Sequence, residues 1–384
     1  MNLPTLIAIV LLLQTSNIFS EPFLQVPIEG EQGKDWRIVN YVDWDTIAYK
    51  DYNCGTKSYD GHQGTDFTLP SFPAMDKNVA VLAAASGRVT YVIDTLFDRE
   101  TEGDVSKMLG NFVAVSHPNN YYTYYAHLMT GSAKVKAGDS VTAGDVLGYV
   151  GSSGNSTDPH LHFELWYDSL YPVDPLGGEC GNESSLFFDP PAYDTSAGLY
   201  ESGMHLAEQI GINDLRERAV TLERPYKVST GSDSLLYFWS HMYGMRAGET
   251  LDLVWTSPDG NEWFSFDIVI DRDYWYYFYW SYINHTDLPQ GDWTATLYYK
   301  GEAIAQENFI VGSSISVEND NLENSIELLT LEELMANKHY DYSLYNVSGN
   351  TIINKEYDQL PSGIYFIYLE GYKGNRKVLK KYKY

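Results

Sequence analysis

The chain has 384 residues, 44% of them hydrophobic, which is enough for two or three domains with sizeable cores. Its 52 acidic and 25 basic residues leave a formal net charge of −27, which argues against a nucleic-acid partner and against electrostatic attraction to anionic membranes. Glycine at 31 and tyrosine at 33, spread through many short alternating runs, point to an all-β chain.

Leu6 to Leu13 is an unbroken apolar run followed by polar residues and Ser20-Glu21. It is too short to span a bilayer and sits where a secretion signal sits. The segment before it has no Lys or Arg, so the amino terminus alone supplies positive charge. Residues 1–20 are read as a cleaved signal peptide in preference to an N-terminal anchor. No later stretch is long and apolar enough to cross a membrane, so no stable membrane insertion is expected after cleavage.

Glu21 to Lys50 is polar with scattered aromatics and reads as an arm packing on the first domain. Two cysteines, Cys54 and Cys180, form an even pair in a chain expected to be exported, which suggests a disulfide. Zinc ligation is the rival reading, and neither cysteine sits in a CxxC or CxH pair. Next comes Tyr59-Asp60-Gly61-His62-Gln63-Gly64-Thr65-Asp66-Phe67. The two glycines make a turn into a strand, and His-x-x-x-Asp lets a tight loop bring both side chains to one point. Imidazole and carboxylate are both good Zn²⁺ ligands. A surface loop that merely contains His and Asp is the commoner case for such a pair by itself.

VAVLAAA and RVTYVID, within Val79 to Asp94, read as two strands hinged at Ser86-Gly87. Asp98 to Leu109 is polar and reads as a surface loop. GNFVAVS (110–116) and YYTYYAHL (121–128) read as two more strands joined by a His117-Pro118-Asn119-Asn120 turn. His127 ends the second strand, where a partly buried, satisfied histidine is the plain alternative to a catalytic one; His117 is taken as structural. Lys134 to Gly154 is turn-rich, with Gly-Asp twice, six residues apart. In Asp158-Pro159-His160-Leu161-His162-Phe163-Glu164-Leu165, apolar and polar residues alternate with the period of a half-buried strand. His160 and His162 therefore leave the same face and point over the same spot, a good place to hold a metal and a proton carrier together. Spacing does not say which of the two binds metal.

After Leu165 the pattern decays towards Cys180, and Pro190-Pro191 with Ser196-Ala197-Gly198 mark a boundary, so the first domain is placed at 21–198. Short strands at even spacing follow, among them LDLVW (251–255), WFSFDIVI (263–270), DWTATLYY (292–299) and IAQENFI (304–310), and suggest an Ig-like β-sandwich over 199–312. Tyr274 to Tyr282 is aromatic on both faces. A strand buried on both sides is the preferred reading; a stacking platform for glycan or peptide is the other. Residues 313–384 comprise an acidic linker and a small β module with strands at Tyr342–Val347 and Ile364–Leu369. Lys373, Arg376, Lys377, Lys380, Lys381 and Lys383 crowd the last fourteen residues without an acid, leaving 19 basic against 52 acidic residues before them, so the end reads as a separate functional tail.

GHQGTDF (61–67), GNFVAVSHPNNYYTYYAHL (110–128) and VKAGDSVTAGDVLGYVGSSGNSTDPHLHFEL (135–165) together resemble the lysostaphin/LytM-type zinc metalloendopeptidases, block for block and in the family's order. The likeness covers about residues 55 to 166. It implies an antiparallel β peptidase domain of the duplicated-hybrid-motif type and one Zn²⁺ per chain. It implies His62, Asp66 and His162 as zinc ligands, with His127 and His160 as the catalytic pair. Tyr125 is a weaker candidate for contact with the oxyanion, with packing as its alternative. The implied substrate is the peptide cross-link of bacterial peptidoglycan. Alternatives are glycine-rich extracellular proteins as substrate, a non-catalytic activator of a cell-wall amidase, and an adhesin led by the aromatic middle module.

SLYNVSGNTI (343–352), LPSGIYFIYL (360–369) and KVLKKY (377–382) resemble the sorting domain of the Por (type nine) secretion system, although 323–340 depart from its pattern. That resemblance implies the secretion machinery as a partner and a location outside a Gram-negative cell, secreted or on its outer surface. A monomer is expected.

Overall fold

The structure is a computed structural model. It describes residues 23–45, 47–182, 184–207, 226–229, 235–284 and 287–312 and, towards the C-terminus, 341–346, 351–352, 360, 363–372 and 375–383. The expected signal peptide and the acidic linker fall outside the described residues. Among the described residues the chain is nearly all β, with helical turns only at Phe72–Met75 and Pro118–Asn120.

The first module contains β1 (Arg37–Asn40), β2 (Thr65–Thr68), β3 (Ala80–Leu82), β4 (Gly87–Ile93), β5 (Phe112–Ser116), β6 (Tyr121–Ala126), β7 (Ser140–Val141), β8 (Val146–Tyr149), β9 (His160–Tyr167) and β10 (Tyr171–Val173). An antiparallel sheet runs β1-β2-β9-β6-β5-β4-β7, with β10 beside β9, and β3 pairs with β8 separately. Alternation along β9 works as the period of two requires. Leu161, Phe163 and Leu165 are fully buried in a core shared with Phe67, Val113, Val115 and Tyr125, each such side chain contributing roughly 1.5–3 kcal/mol of burial. The imidazoles then leave the opposite face. Both Gly-Asp pairs are turns. Gly138 and Gly144 have positive φ (97° and 93°), and the aspartates accept from Lys136 N and Thr142 N. These short turns hold the segment that delivers the chain to β9.

The N-terminal arm is built into this module. Trp36 and Ile38 lie in its core, and β1 completes the edge of its sheet beside β2. Cys54 and Cys180 are bonded across a separation of 126 residues. On the chain-entropy model, closing so long a loop stabilises the fold by up to about 4–5 kcal/mol.

The second module has β11 (Gly198–Ala207), β12 (Tyr226–Ser229), β13 (Leu235–Tyr243), β14 (Thr250–Thr256), β15 (Glu262–Val269), β16 (Tyr277–Asn284), β17 (Gly291–Tyr299) and β18 (Glu302–Gly312). Sheet β11-β13-β16 and sheet β12-β18-β17-β14-β15 share one core, in which Met204, Leu236 and Phe238 meet Leu253, Trp255 and Trp293. The reading of Tyr274 to Tyr282 as a strand buried on both sides needs correction. The strand starts at Tyr277, pairs only with β13 among the described residues, and leaves Tyr282 46% exposed. β13 is the central strand of that sheet, Tyr274, Trp275 and Tyr276 lie outside the ladder, and Trp275 and Tyr276 contact Lys57 and Pro70 of the first module.

The last sheet is β20-β19-β21-β22, from β19 (Asp341–Asn346), β20 (Thr351–Ile352), β21 (Gly363–Tyr372) and β22 (Asn375–Lys383). The basic end is therefore not a detached tail: its backbone is an edge strand of this sheet.

The first two modules are clamped together. Arg37 pairs with Asp194 and lies 3.6 Å over the Tyr243 ring. Pro70 O accepts from His241 Nδ1 (2.6 Å). Lys57 Nζ donates to Asp194 O (2.8 Å) and sits 4.5 Å over the Trp275 ring. Burial pulls the Lys57 pKa down to about 8 against the opposing pull of Asp194.

Candidate metal centre and active site

Three donor atoms meet where β2 runs beside β9. Asp66 stands opposite His162 in the register of the two strands, and His62 closes over them from the preceding turn. Asp66 Oδ1 lies 2.9 Å from His162 Nδ1 and 3.3 Å from His62 Nε2, and the two ring nitrogens are 3.2 Å apart. Zinc with four tetrahedral ligands at about 2.0 Å needs donors about 3.3 Å apart, so the triangle has the size of one face of that tetrahedron. All three residues are buried. Gly64 makes room for them, because a Cβ there would meet the His162 ring at 2.7 Å.

Hydrogen bonds fix which nitrogen each ring presents. His62 Nδ1 faces Tyr41 O at 2.7 Å; a carbonyl only accepts, so the proton is on Nδ1 and Nε2 offers its lone pair to the donor triangle. His162 has Asp66 on Nδ1 and Glu164 on Nε2, each at 2.9 Å. Burial disfavours charge on this ring. The bonds to the two carboxylates outweigh it and raise the His162 pKa to about 10. Asp66 is fully buried, which would raise its pKa, yet the facing histidines hold it well below the ordinary carboxylate range.

His127 and His160 stand beside this triangle, their rings 4.6 Å apart, with His160 Nε2 3.7 Å from Asp66 Oδ1. Each donates Nδ1–H to a backbone carbonyl: His127 to Ser153 O (2.7 Å) and His160 to Asp158 O (2.7 Å). Both therefore present Nε2 as a proton acceptor. Burial first, then the neighbouring His160 and His162, drive the His127 pKa well below that of a free imidazole, which keeps it neutral. Its backbone has φ 60°, the left-handed region that costs a non-glycine residue of the order of 1–3 kcal/mol and that clusters at functional sites. Hydrogen bonds from His127 N to Leu109 O and from Gly151 N to His127 O hold it there.

Residues 60–175 match the sequence model of peptidase family M23. This stretch is an M23 peptidase domain. Over 115 residues it is 36% identical to the DD-carboxypeptidase/endopeptidase Mpg of Neisseria meningitidis, covering 30% of this chain and 22% of that protein. It is 33% identical over 110 residues to the peptidoglycan DD-endopeptidase ShyA of Vibrio cholerae, covering 29% of this chain and 21% of the relative. The chain thus spans about a quarter or less of the length of the curated relatives it matches. Among solved structures, a zinc-containing peptidase from Vibrio cholerae is similar at 26% identity and a TM-score of 0.29, over 40% of this chain and 39% of that one. The lysostaphin catalytic domain from Staphylococcus simulans is similar at 27% identity and a TM-score of 0.23, over 34% of this chain and 86% of that one.

The M23 domain thus brings together His62, Asp66, His127, His160 and His162. Tyr125 is elsewhere: it is fully buried against Phe163, and its hydroxyl accepts from Ala84 N (2.8 Å). Its position on β6, paired with Phe163, turns it into the core, so the oxyanion candidacy falls and packing stands. His117 donates Nδ1–H to Ser86 O and accepts from Thr123, away from the donor triangle.

Two residues that sequence reasoning passed over hold the donors in place. Glu164 accepts from His162 Nε2 and is itself fixed by Trp166 Nε1 (2.6 Å). Its signal was the alternation of β9, which puts it on the face of His160 and His162. Asn40 donates Nδ2–H to Asp66 Oδ2 (2.8 Å) and so aims Oδ1 at the triangle. No local spacing marks a residue 26 positions upstream. Partners of this kind typically account for 10–100-fold in metal affinity (order of magnitude). Glu164→Gln and Asn40→Ala are each expected to weaken zinc binding by about 10-fold or more in a chelator competition.

Metal binding here should also release a proton. Below its raised pKa the His162 ring carries two protons, and a metal on Nδ1 must displace one of them. Apparent zinc affinity should therefore rise with pH, by up to tenfold per unit through neutrality. Calorimetry in buffers of differing ionisation enthalpy would report about one proton released per zinc; an affinity flat between pH 6 and 8 would contradict this.

Proposed function

We propose that the protein is a secreted zinc endopeptidase that hydrolyses peptide bonds in bacterial peptidoglycan cross-links. The observation that carries the reading is the donor triangle with two accepting imidazoles beside it. His62, Asp66 and His162 would hold Zn²⁺, a borderline ion suited to two imidazoles and a carboxylate. When bound, zinc supplies a Lewis acid for the scissile carbonyl and lowers the pKa of coordinated water. The chain's own work is to hold the ligands and move protons. Asn40 and Glu164 orient ligands, and His127 Nε2 and His160 Nε2 are the stations that take up a proton and return it to the leaving amine. All five positions that a zinc peptidase of this type needs are filled, which favours an enzyme over a non-catalytic activator of an amidase.

Export is part of the same proposal, supported by the apolar run at 6–13, the disulfide between Cys54 and Cys180, and the sorting-domain resemblance of the C-terminal sheet. The division at 198 and 312 is supported by the separate cores of the first two modules. The experiment is turbidity loss of purified bacterial walls on adding zinc-loaded protein, run beside peptide release from a glycine-rich protein substrate. Wall clearance with release of free amines supports the reading. No release from walls, with release from the protein substrate, would move the substrate to extracellular protein.

A further inference from the structure

A cavity of about 650 Å³ opens beside the donor triangle. One side is the M23 domain, with Asp66, His160, Asp158 and Tyr59. The opposite side comes from the second module: residues 271–276, the loop between β15 and β16, with Ala247. This loop is built to keep its position. Asp273 is held by Arg246 (3.0 Å) and by Ala247 N (3.0 Å). Tyr274 exchanges backbone hydrogen bonds with Met245. The Trp275 ring lies between Lys57 at 4.5 Å and Arg246 at 3.9 Å, and Tyr276 Oη donates to Pro70 O (3.3 Å). The contacts with Lys57 and Pro70 tie the loop to the chain on either side of β2, the strand that carries Asp66.

We infer that the loop Asp271–Tyr276 of the second module is the far wall of the substrate cleft, and that it takes part in choosing which peptide reaches the metal centre. The inference rests on the endopeptidase reading above and deepens it. The second module is then a piece of the active site, not an independent binding domain. A peptide extended along the cleft would pass His160 on one side and Asp271 with Tyr274 on the other. Tyr274 Oη donates to Asp271 Oδ1 (2.9 Å), which presents that carboxylate at the cleft, and Asp158 lies on the facing wall. Asp273 is matched by Arg246; Arg272 lies 5.0 Å over the Tyr274 ring and faces Asp271, so the lining away from the donor triangle sets two carboxylates, Asp158 and Asp271, against one guanidinium. A wall of this character favours a peptide segment bearing a primary amine over one bearing a carboxylate.

The test uses the full chain, zinc-loaded, with His160→Ala so that bound peptide is not consumed. It is titrated at low salt with acetylated, amidated Gly-Gly-Lys-Gly-Gly and with the glutamate counterpart. The lysine peptide should bind about threefold more tightly, the size of an exposed charge contact. Adding Asp271→Lys should reverse the order; its side chain is at the surface and its hydrogen bond is to Tyr274 of the same loop, so the fold should survive. Equal binding of the two peptides, a preference unchanged by Asp271→Lys, or no binding of either would overturn the wall. Wall hydrolysis by the unmutated protein, run in parallel, keeps the readings apart. Clearance with an unchanged preference sinks the cleft wall alone, and absence of both wall clearance and release from the protein substrate sinks the endopeptidase reading whatever the titration shows.

Discussion

Purified His62→Ala protein should contain almost no zinc and should not clear walls, while keeping its secondary structure. Two facts set the size of this effect. His62 supplies one of three donors, and two donors leave a borderline cation with too few bonds to outcompete water. Its loss also leaves Asp66 and His162 facing each other at 2.9 Å, a buried pair that holds its own proton and resists the metal. Zinc affinity should fall by more than the ~10–100-fold expected for an outer partner such as Asn40 or Glu164. The fold is expected to persist because the core of this module is apolar and its long loop is closed by the disulfide, neither of which involves His62. Metal analysis and a thermal melt on one sample check both halves. A His62→Ala protein with one zinc per chain and normal turnover would mean that the triangle is not the metal site.

Legibility in the sequence followed locality. His160 and His162 could be placed on one face from the alternation of β9 alone, because a strand's period of two leaves no other choice. The pairing of that strand with Asp66 was implied only by family resemblance, since register between strands separated by some ninety residues leaves no mark in either. Asn40 is the clearest loss: it reaches Asp66 through the β1–β2 pairing, and an isolated asparagine in a polar arm looks like any other. Tyr274 to Tyr282 misled for a physical reason. Aromatics at eight of its nine positions erase the contrast by which a buried face is told from an exposed one, so its first residues, which leave the ladder to meet the M23 domain, could not be separated from the strand. The strained φ of His127 is invisible in sequence because no glycine or asparagine stands there to announce it.

The second large effect separates chemistry from metal binding within one pair of neighbours. His160→Ala is expected to keep a full zinc complement and to lose about 10²–10⁴-fold in kcat, the usual worth of a positioned acid–base group. The reason lies in its bonds. His160 Nε2 is 3.7 Å from Asp66 Oδ1, farther than either member of the triangle, and its Nδ1–H is committed to Asp158 O. The ring is therefore aimed past the ligands, at the place where a substrate would lie. His127→Ala should behave in the same way for a different reason. Burial and the neighbouring His160 and His162 hold its pKa well below the ordinary imidazole range, so His127 is neutral and ready to accept a proton at neutral pH. Loss of zinc in His160→Ala would exchange its role with that of His162, and a His127→Ala protein with full zinc and normal kcat would remove His127 from the proton transfer.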